Sequence, residues 1–351
     1  MSERPYRRIL VRATNWVGDA VMCLPALQAL RVSFPGSHIA IIARPWVADI
    51  YRCEAFCDEV IEYDAPRGWR GIGRKLATAK MLRLGRFDCA ILLQNAFEAA
   101  LLTRWARIPV RIGYDRDRRG ALLTNRIPVP QPGEIPVHQR FYYLELLKRA
   151  GLIQSYSPES PVAFTSTDAA RRRGAERFHE YEIEGRVIGV SPGAAFGSAK
   201  RWLPERFAQA ALQVAKAEDA KVVVFGTAEE AALGEQVAAM VAEGGIRALN
   251  LAGKTKLHDF IDMAAACDLF LTNDSGTMHI ASAMGVPTVA IFGPTDEAAT
   301  GPAGNRYRVL RHPVDCAPCH LRECPIDHRC MTGISAEEAA DAAKQLLKQV
   351  S

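Results

Sequence analysis

The residues best suited to binding chemistry in this chain form the polar turn Asn273-Asp274-Ser275-Gly276. The apolar run before it predicts a buried strand ending at Thr272, and the small residues after it predict a helix from Thr277 to Met284. Ligands of parallel sheets bind where strands end, and the free N–H groups of a helix N-terminus attract anions. The turn can therefore bind a phosphate, while Asp274 can accept hydrogen bonds from sugar hydroxyls. Both uses fit a nucleotide-sugar, although capping of the helix by Asp274 and Ser275 explains the same pattern.

A second candidate phosphate loop lies between a predicted strand at 186–190 and a predicted helix that begins at Pro204. The loop is rich in small residues, including Ser191 and Gly193, and it ends near Lys200. Such a loop can approach a diphosphate closely, and its lysine can neutralise the charge. The spacing is not that of a Walker loop.

Two glutamates follow the next predicted strand, at 221–225, and the glycine after it, Gly226. A carboxylate at such a strand end often holds a ribose hydroxyl, so Glu229 and Glu230 are both candidates. Their negative charge would equally suit the first turn of a helix. The sequence does not choose between the two residues.

Asp19 is the candidate general base. It follows a predicted opening strand at 8–13, in a loop that also contains Asn15 and Trp16, and it precedes a helix predicted for 20–34. A carboxylate at this strand end can take the proton from a sugar hydroxyl. The alternative is a favourable charge in a first helical turn. The loop lacks G-x-G-x-x-G, so it does not support a dinucleotide site.

The charge of the chain is unevenly divided. Residues 1–150 hold 24 Lys and Arg against 14 Asp and Glu, while the rest hold 20 against 25, which together give the net charge of +5. The first half therefore favours an acidic partner such as nucleic acid, anionic lipid or a phosphorylated sugar. Arg116 and Arg119 belong to a basic cluster without interleaved aromatic residues, which disfavours nucleic acid. A solvated loop is the alternative interpretation of this cluster.

Four of the nine cysteines are clustered near the C-terminus, at Cys316, Cys319, Cys324 and Cys330. Four thiols in one loop could bind zinc or an iron–sulfur cluster, but the second pair has neither of the usual close spacings. We therefore predict no metal, and expect either free thiols or a loop prone to disulfide formation. The other cysteines lie in apolar segments and are expected to be buried.

The pattern of strands and helices predicts two α/β domains. The chain begins β-α-β, passes through a segment rich in Ser, Pro and Thr at 151–168, and then repeats the same alternation. No apolar run approaches the roughly 20 residues that span a bilayer, so we expect a cytoplasmic protein.

These motifs together resemble a known family. The resemblance depends on the segment 15–22, the segment 200–204, the turn at 273–276 with His279, the segment 292–295 and the cysteine loop at 316–330. In combination they resemble the bacterial ADP-heptose:lipopolysaccharide heptosyltransferases, glycosyltransferase family 9. The first segment and the cysteine loop are most similar to the branch that adds the second heptose of the inner core.

The resemblance implies a GT-B fold, with two Rossmann-like domains and a central cleft. It implies an acceptor-binding domain at 1–160, a donor-binding domain at 161–333, and a final helix at 334–351 that packs back on the first domain. The implied reaction is inverting transfer of heptose from ADP-L-glycero-β-D-manno-heptose to the first heptose of the phosphorylated inner core. It would need no metal or other cofactor, no nucleic acid, and only peripheral contact with the cytoplasmic face of the inner membrane.

The resemblance, together with the loops and the basic cluster described above, gives roles to individual residues. Asp19 would be the general base. The donor would contact Ser191, Gly193, Lys200, Gly226, Glu229, Glu230, Asp274, Ser275, Gly276, Thr277 and His279. The acceptor would contact Asn15, Trp16, Arg116 and Arg119. Other interpretations are a GT-B glycosyltransferase that uses a different sugar or acceptor, such as the transferase of the first heptose, and a nucleotide-binding protein without activity.

Overall fold

The computed structural model describes residues 6–66 and 68–349, and the chain forms two compact units that meet at residues 160 and 161. Each unit contains one parallel six-stranded sheet with helices packed on it. The α/β class predicted from the sequence is confirmed. Strands of such sheets are covered on both faces, which is why they appear in the sequence as short, nearly continuous apolar runs.

The sheet of the first unit has the strand order β3-β2-β1-β4-β5-β6. This is the doubly wound order, in which β1 and β4 lie at the switch point where ligands bind. Its strands are β1 (Arg8–Arg12), β2 (His38–Ala43), β3 (Glu59–Glu62), β4 (Cys89–Leu92), β5 (Val110–Tyr114) and β6 (Asn125–Ile127). Its helices are α1 (Val17–Met22), α2 (Leu24–Ser33), α3 (Pro45–Arg52), α4 (Ile72–Leu84), α5 (Phe97–Trp105) and α6 (Arg140–Arg149).

The second unit repeats this order in its own strands, β12-β11-β10-β7-β8-β9, with β7 and β10 at the switch point. Its strands are β7 (Val187–Ser191), β8 (Lys221–Val224), β9 (Ala248–Asn250), β10 (Leu269–Asn273), β11 (Thr288–Phe292) and β12 (Tyr307–Arg311). Its helices are α7 (Thr167–Glu180), α8 (Pro204–Glu218), α9 (Ala231–Glu243), α10 (Leu257–Ala265), α11 (Gly276–Ala283), α12 (Glu297–Thr300), α13 (Arg329–Thr332) and α14 (Ala336–Lys348).

The last helix, α14, is buried along one side in the second unit. We expected the segment 334–351 to pack back on the first domain; within the second unit, α14 packs mainly against α8 and also contacts β10, β11 and β12. Its buried residues belong to the core of the second unit, where Leu346 and five alanines lie with Val214 of α8. The apolar side of the helix is therefore buried in its own unit, and packing of the segment 334–351 on the first domain stays a prediction.

Two local predictions need correction. The helix predicted for 20–34 is two helices that meet at Cys23, since Pro25 cannot donate a backbone hydrogen bond and favours a new helix start. The segment predicted to be irregular at 121–136 contains the edge strand β6, whose three residues are too few to give a period in the sequence.

Candidate active site

In the second unit, a buried side-chain amide joins the ends of strands β7 and β10. Asn273 is fully buried; its Oδ1 accepts a hydrogen bond from the backbone N–H of Trp202 at 3.0 Å, and its Nδ2 donates to the carbonyl of Pro192 at 2.7 Å. An amide can satisfy a donor and an acceptor at once, which neither an aspartate nor a leucine could do here. Asn273 therefore fixes the small-residue loop at 192–202 against the turn at 273–276. The sequence alone places Asn273 in the polar turn and does not reveal this bridging role.

Lys200 and Asp274 form an ion pair inside this junction. Lys200 Nζ lies 2.5 Å from Asp274 Oδ2, and Thr295 Oγ1 donates to the same oxygen at 2.6 Å. The two side chains are only 12% and 6% exposed, so the pair is screened little by water. The loop at 192–202 and the turn at 273–276 thus bring together the lysine and the carboxylate that we expected to bind a donor. Thr295, in the loop after β11, is a partner that the sequence did not reveal.

The N-terminus of α11 carries a cluster of hydroxyl groups. Ser275 Oγ lies 2.6 Å from Thr277 Oγ1, and Thr277 Oγ1 donates to Ser191 Oγ at 3.0 Å. Neither Asp274 nor Ser275 caps the helix: the described side chains give α11 no cap hydrogen bond. The capping alternative is thus not what the structure shows, and the N–H groups of the first turn lie next to Lys200 and the hydroxyls. Such groups attract an anion.

The two glutamates after β8 lie in different surroundings. Glu230 is buried, and its carboxylate accepts a hydrogen bond from the N–H of Thr227 at 3.0 Å. A Cβ on Gly193 would lie 2.0 Å from Glu230 Oε1, so the carboxylate occupies the space that a side chain at 193 would need. Gly226 also lies against Glu230, with a hypothetical Cβ 3.2 Å from it. Glu229 is exposed, and hydrogen bonds from its own backbone N–H and from Thr227 lower its pKa.

His279 lies on α11 and is buried. The strand-end loops of the second unit thus assemble most of the expected donor residues, and Glu229 is the exposed one among them. The cysteine loop packs on the same region. His328 Nε2 lies 2.8 Å from the carbonyl of Ala199, and the backbone N–H of Ala199 donates to the carbonyl of Arg322 at 3.0 Å. The backbone N–H of His320 donates to Pro294 at 2.8 Å.

The cysteines themselves are free thiols in the structure. Cys330 is buried, and burial and the neighbouring thiols raise its pKa. Within the described ranges no group of three or more His, Cys, Asp or Glu side chains is arranged to hold a metal ion. The loop therefore contributes contacts to the segments that carry Lys200 and Thr295.

Asp19 lies in the first turn of α1, at the carboxyl end of β1, and is half-buried. The hydroxyl of the buried Tyr143, on α6, donates to Asp19 Oδ1 at 2.9 Å. Desolvation raises the pKa of Asp19, and the hydrogen bond from Tyr143 opposes this shift. A partly desolvated carboxylate with a raised pKa is a better proton acceptor than an ordinary aspartate. Tyr143 is 124 residues away in sequence and carries no signal there.

Two exposed indoles lie at the loop that precedes α1. Trp16 precedes α1 and is 62% exposed, and Trp46 is 54% exposed. Trp46 Nε1 donates to the carbonyl of Asn15 at 2.8 Å, and Asn15 Oδ1 accepts from Arg12 at 3.2 Å. Flat apolar faces next to a polar strand end suit the stacking of a sugar ring. Trp46 was not among the predicted residues.

The basic cluster at 116–119 is not a uniform surface. Arg119 is fully buried; its guanidinium donates to Tyr114 O at 2.9 Å, to Asn95 Oδ1 at 2.8 Å and to Gln94 O. The expectation that Arg119 contacts an acceptor is therefore wrong, because its donors bind carbonyls within its own unit. Arg116 remains partly exposed, and a hydrogen bond with Tyr142 raises its pKa.

Two doubly wound parallel sheets on one chain, each with polar loops at its switch point, define a two-domain Rossmann-like protein of GT-B type. The model of glycosyltransferase family 9 (heptosyltransferase) matches residues 75–329. The chain belongs to this family. It is therefore a glycosyltransferase of the heptosyltransferase group, and the resemblance identified from the motifs is confirmed.

Relatives cover almost the whole chain. Lipopolysaccharide heptosyltransferase 2 of Escherichia coli strain K12 is 31% identical over 87% of this chain and 88% of its own. Lipooligosaccharide heptosyltransferase 2 of Campylobacter jejuni is 28% identical over 97% of this chain and 98% of its own. The solved structure of the Escherichia coli ADP-heptose lipopolysaccharide heptosyltransferase II superposes with a TM-score of 0.84, at 28% identity, over 98% of this chain and 99% of that one.

Proposed function

We propose that the protein transfers heptose from ADP-L-glycero-β-D-manno-heptose to the first heptose of the lipopolysaccharide inner core, with inversion at the anomeric carbon. The observation that carries the proposal is the Lys200–Asp274 pair beside the uncapped first turn of α11. A cation and free N–H groups suit a diphosphate, and an adjacent carboxylate suits sugar hydroxyls. The second-heptose transferases among the relatives support this choice of substrates.

The donor half of the proposal assigns the diphosphate to Lys200, the N–H groups of Gly276 and Thr277, and the hydroxyls of Ser191 and Ser275. The ammonium and the helix N-terminus stabilise the charge that develops on ADP as the glycosidic C–O bond breaks. Thr277 completes the hydroxyl cluster, and buried His279 supports the helix from within. Asp274 binds hydroxyls of the heptose ring.

The nucleoside end of the donor is assigned to the loops after β7 and β8. Glu230 is the better candidate for the ribose hydroxyls, because it lies against Gly193 and Gly226, where a ligand could approach the backbone. Glu229 is assigned to the outer edge of the same site. Its exposed position gives it less influence on affinity than Glu230.

The acceptor half assigns the proton transfer to Asp19. Its carboxylate removes the proton from an acceptor heptose hydroxyl, and the resulting oxygen attacks the anomeric carbon on the face opposite the leaving ADP. The new glycosidic bond forms as the bond to ADP breaks, and the proton stays on Asp19 until it passes to solvent. Asn15 and Trp16 position the acceptor sugar, and Arg116 contacts its phosphate groups.

We propose further that no metal is needed, because Lys200 and the first turn of α11 supply the positive charge at the diphosphate. Turnover should be unchanged by EDTA. No described helix has the length and apolar character needed to cross a bilayer. The proposed place of action is the cytoplasm, at the periphery of the inner membrane where the lipid-linked acceptor lies.

The proposal is tested by turnover of ADP-heptose on core acceptors that carry zero, one or two heptoses. Transfer confined to the acceptor with one heptose is expected. Transfer to the acceptor without heptose would instead assign the first addition. Turnover of a UDP-sugar with no turnover of ADP-heptose would overturn the donor assignment.

A further inference from the structure

Helix α4 (Ile72–Leu84) has a narrow buried side and a broad exposed one. The residues buried along it are Lys75, Ala79 and Leu82. Lys75 Nζ lies 2.5 Å from Glu98 Oε2 on α5 and donates to the carbonyl of Gly68 at 3.1 Å. The lysine and the two buried apolar residues therefore anchor the helix to its unit, while most of the other side chains are exposed.

The outward side carries large apolar residues. Ile72, Leu76, Met81 and Leu84 are between 45% and 75% exposed. Single exposed apolar side chains are ordinary on protein surfaces, but this 13-residue helix carries four. By their spacing, Ile72 neighbours Leu76 and Met81 neighbours Leu84 on the helix surface. No described element of the unit covers these four side chains, because they remain exposed in the presence of all its described residues.

Cationic side chains lie between these apolar ones. Arg74, Lys80 and Arg83 are exposed on the same helix, and the segment 65–87 contains seven Lys and Arg but no Asp or Glu. Arg74 lies 3.6 Å from Asp64, a weak pair in which both side chains are exposed. Neither Lys80 nor Arg83 forms an ion pair within the part of the chain that the structure describes. Their charge is available to an external anion.

This mixture identifies the chemistry of the partner. A helix that exposes leucine and methionine together with lysine and arginine suits the boundary between anionic headgroups and acyl chains. Each cation near such a surface adds to binding, and the exposed apolar side chains insert below the headgroups. We propose that α4 is the surface through which the protein docks on a bilayer containing anionic phospholipid. The inference rests on the proposed function in one respect: a lipid-linked acceptor gives the enzyme a reason to bind a membrane.

The experiment measures binding of the full chain to vesicles by flotation. One set of vesicles contains phosphatidylglycerol and phosphatidylethanolamine, and the other contains only phosphatidylcholine. The variant Lys80→Gln/Arg83→Gln is compared with Arg172→Gln/Lys216→Gln, which removes the same charge from exposed positions on α7 and α8. Leu84→Ser tests the apolar contribution.

The wild-type protein should bind the anionic vesicles, and this binding should weaken with salt. Lys80→Gln/Arg83→Gln should bind about 30-fold more weakly, and Leu84→Ser about tenfold more weakly. The matched control should bind within about twofold of wild type. Equal binding by all variants, equal loss in the control, or equal binding to both kinds of vesicle would each overturn the proposal.

A soluble, delipidated core acceptor separates this inference from the proposed function. All three variants should transfer heptose to that acceptor at the wild-type rate, because α4 carries none of the proposed site residues. Circular dichroism melting verifies that each variant is folded. If wild type fails to use the soluble acceptor but binds anionic vesicles through α4, the proposed function fails and the docking surface stands.

Discussion

Lys200 Nζ lies 2.5 Å from Asp274 Oδ2, in a junction where both side chains are almost fully buried. The contact joins the loop after β7 to the end of β10, which are 74 residues apart in sequence. A lysine has four rotatable bonds, and this carboxylate restricts them. The cation is therefore held in place beside the first turn of α11, ready for a diphosphate.

The first prediction concerns this lysine. Lys200→Gln should weaken ADP binding about 10-fold to 100-fold, because a charged hydrogen bond is lost and the Asp274 carboxylate then repels the phosphates. Isothermal titration calorimetry with ADP measures the effect. Lys216→Gln, on the exposed side of α8, is the matched control and should bind like wild type. Unchanged ADP affinity in Lys200→Gln would remove the lysine from the donor site.

A second prediction separates chemistry from binding at Asp19. Asp19→Asn should lower kcat by about 10²-fold to 10⁴-fold, since the amide cannot accept the proton, while ADP affinity stays unchanged. Glu62→Gln, a half-exposed carboxylate of the same unit, serves as the control and should keep full turnover. Retention of turnover in Asp19→Asn would assign the proton transfer to another group.

The same variant makes a third prediction, about stability. Burial raises the pKa of Asp19, so the folded state binds a proton more readily than the unfolded state. Stability therefore falls as pH rises from the unfolded pKa of about 3.9 through the raised folded value. Asp19→Asn removes this cost and should melt at a higher temperature than wild type at pH 7, with no gain below the unfolded pKa. A lower melting temperature at pH 7 would contradict this account.

These residues also show what the sequence could and could not predict. The run predicted as a strand at 221–225 gives β8 (Lys221–Val224) to within one residue, because a strand buried on both faces is largely apolar. The turn at 273–276 was found for a similar reason: polar residues directly follow an apolar strand. The role of Asn273 was not found, because its partners at Trp202 and Pro192 are 71 and 81 residues away.

The error at Arg119 has the same origin. An arginine in the segment Arg116-Asp117-Arg118-Arg119 looks solvated, yet the main-chain carbonyls of Gln94 and Tyr114 bind its guanidinium inside the unit. Desolvation lowers the pKa of Arg119 to about 10. Composition gives the total charge of a segment, and only tertiary contacts decide which of its members face solvent.

A fourth prediction tests the contact between Gly193 and Glu230. Gly193→Ala places a methyl group 2.0 Å from Glu230 Oε1 unless the carboxylate or the loop moves. The displacement should cost about 1–3 kcal/mol of stability and should weaken ADP binding, because the loop after β7 shifts. Thermal melting and calorimetry measure both effects. Gly36→Ala, where a Cβ would have open space, should change neither the stability nor the ADP affinity. If Gly193→Ala behaves like wild type, the Glu230 carboxylate or the loop moves aside at no measurable cost.

The last prediction concerns the hydrogen bond between Tyr143 and Asp19. A general base acts when it is deprotonated, so kcat/KM should rise as pH increases through the pKa of Asp19. Tyr143→Phe removes a hydrogen bond that favours the carboxylate, which raises that pKa further. The acid limb of the pH profile should therefore move to higher pH, with the plateau at high pH retained.

Tyr156→Phe removes a comparable hydrogen bond to Glu145 elsewhere in the same unit and should leave the profile in place. A profile for Tyr143→Phe that coincides with wild type, or one that moves to lower pH, would show that the acid limb belongs to a group other than Asp19.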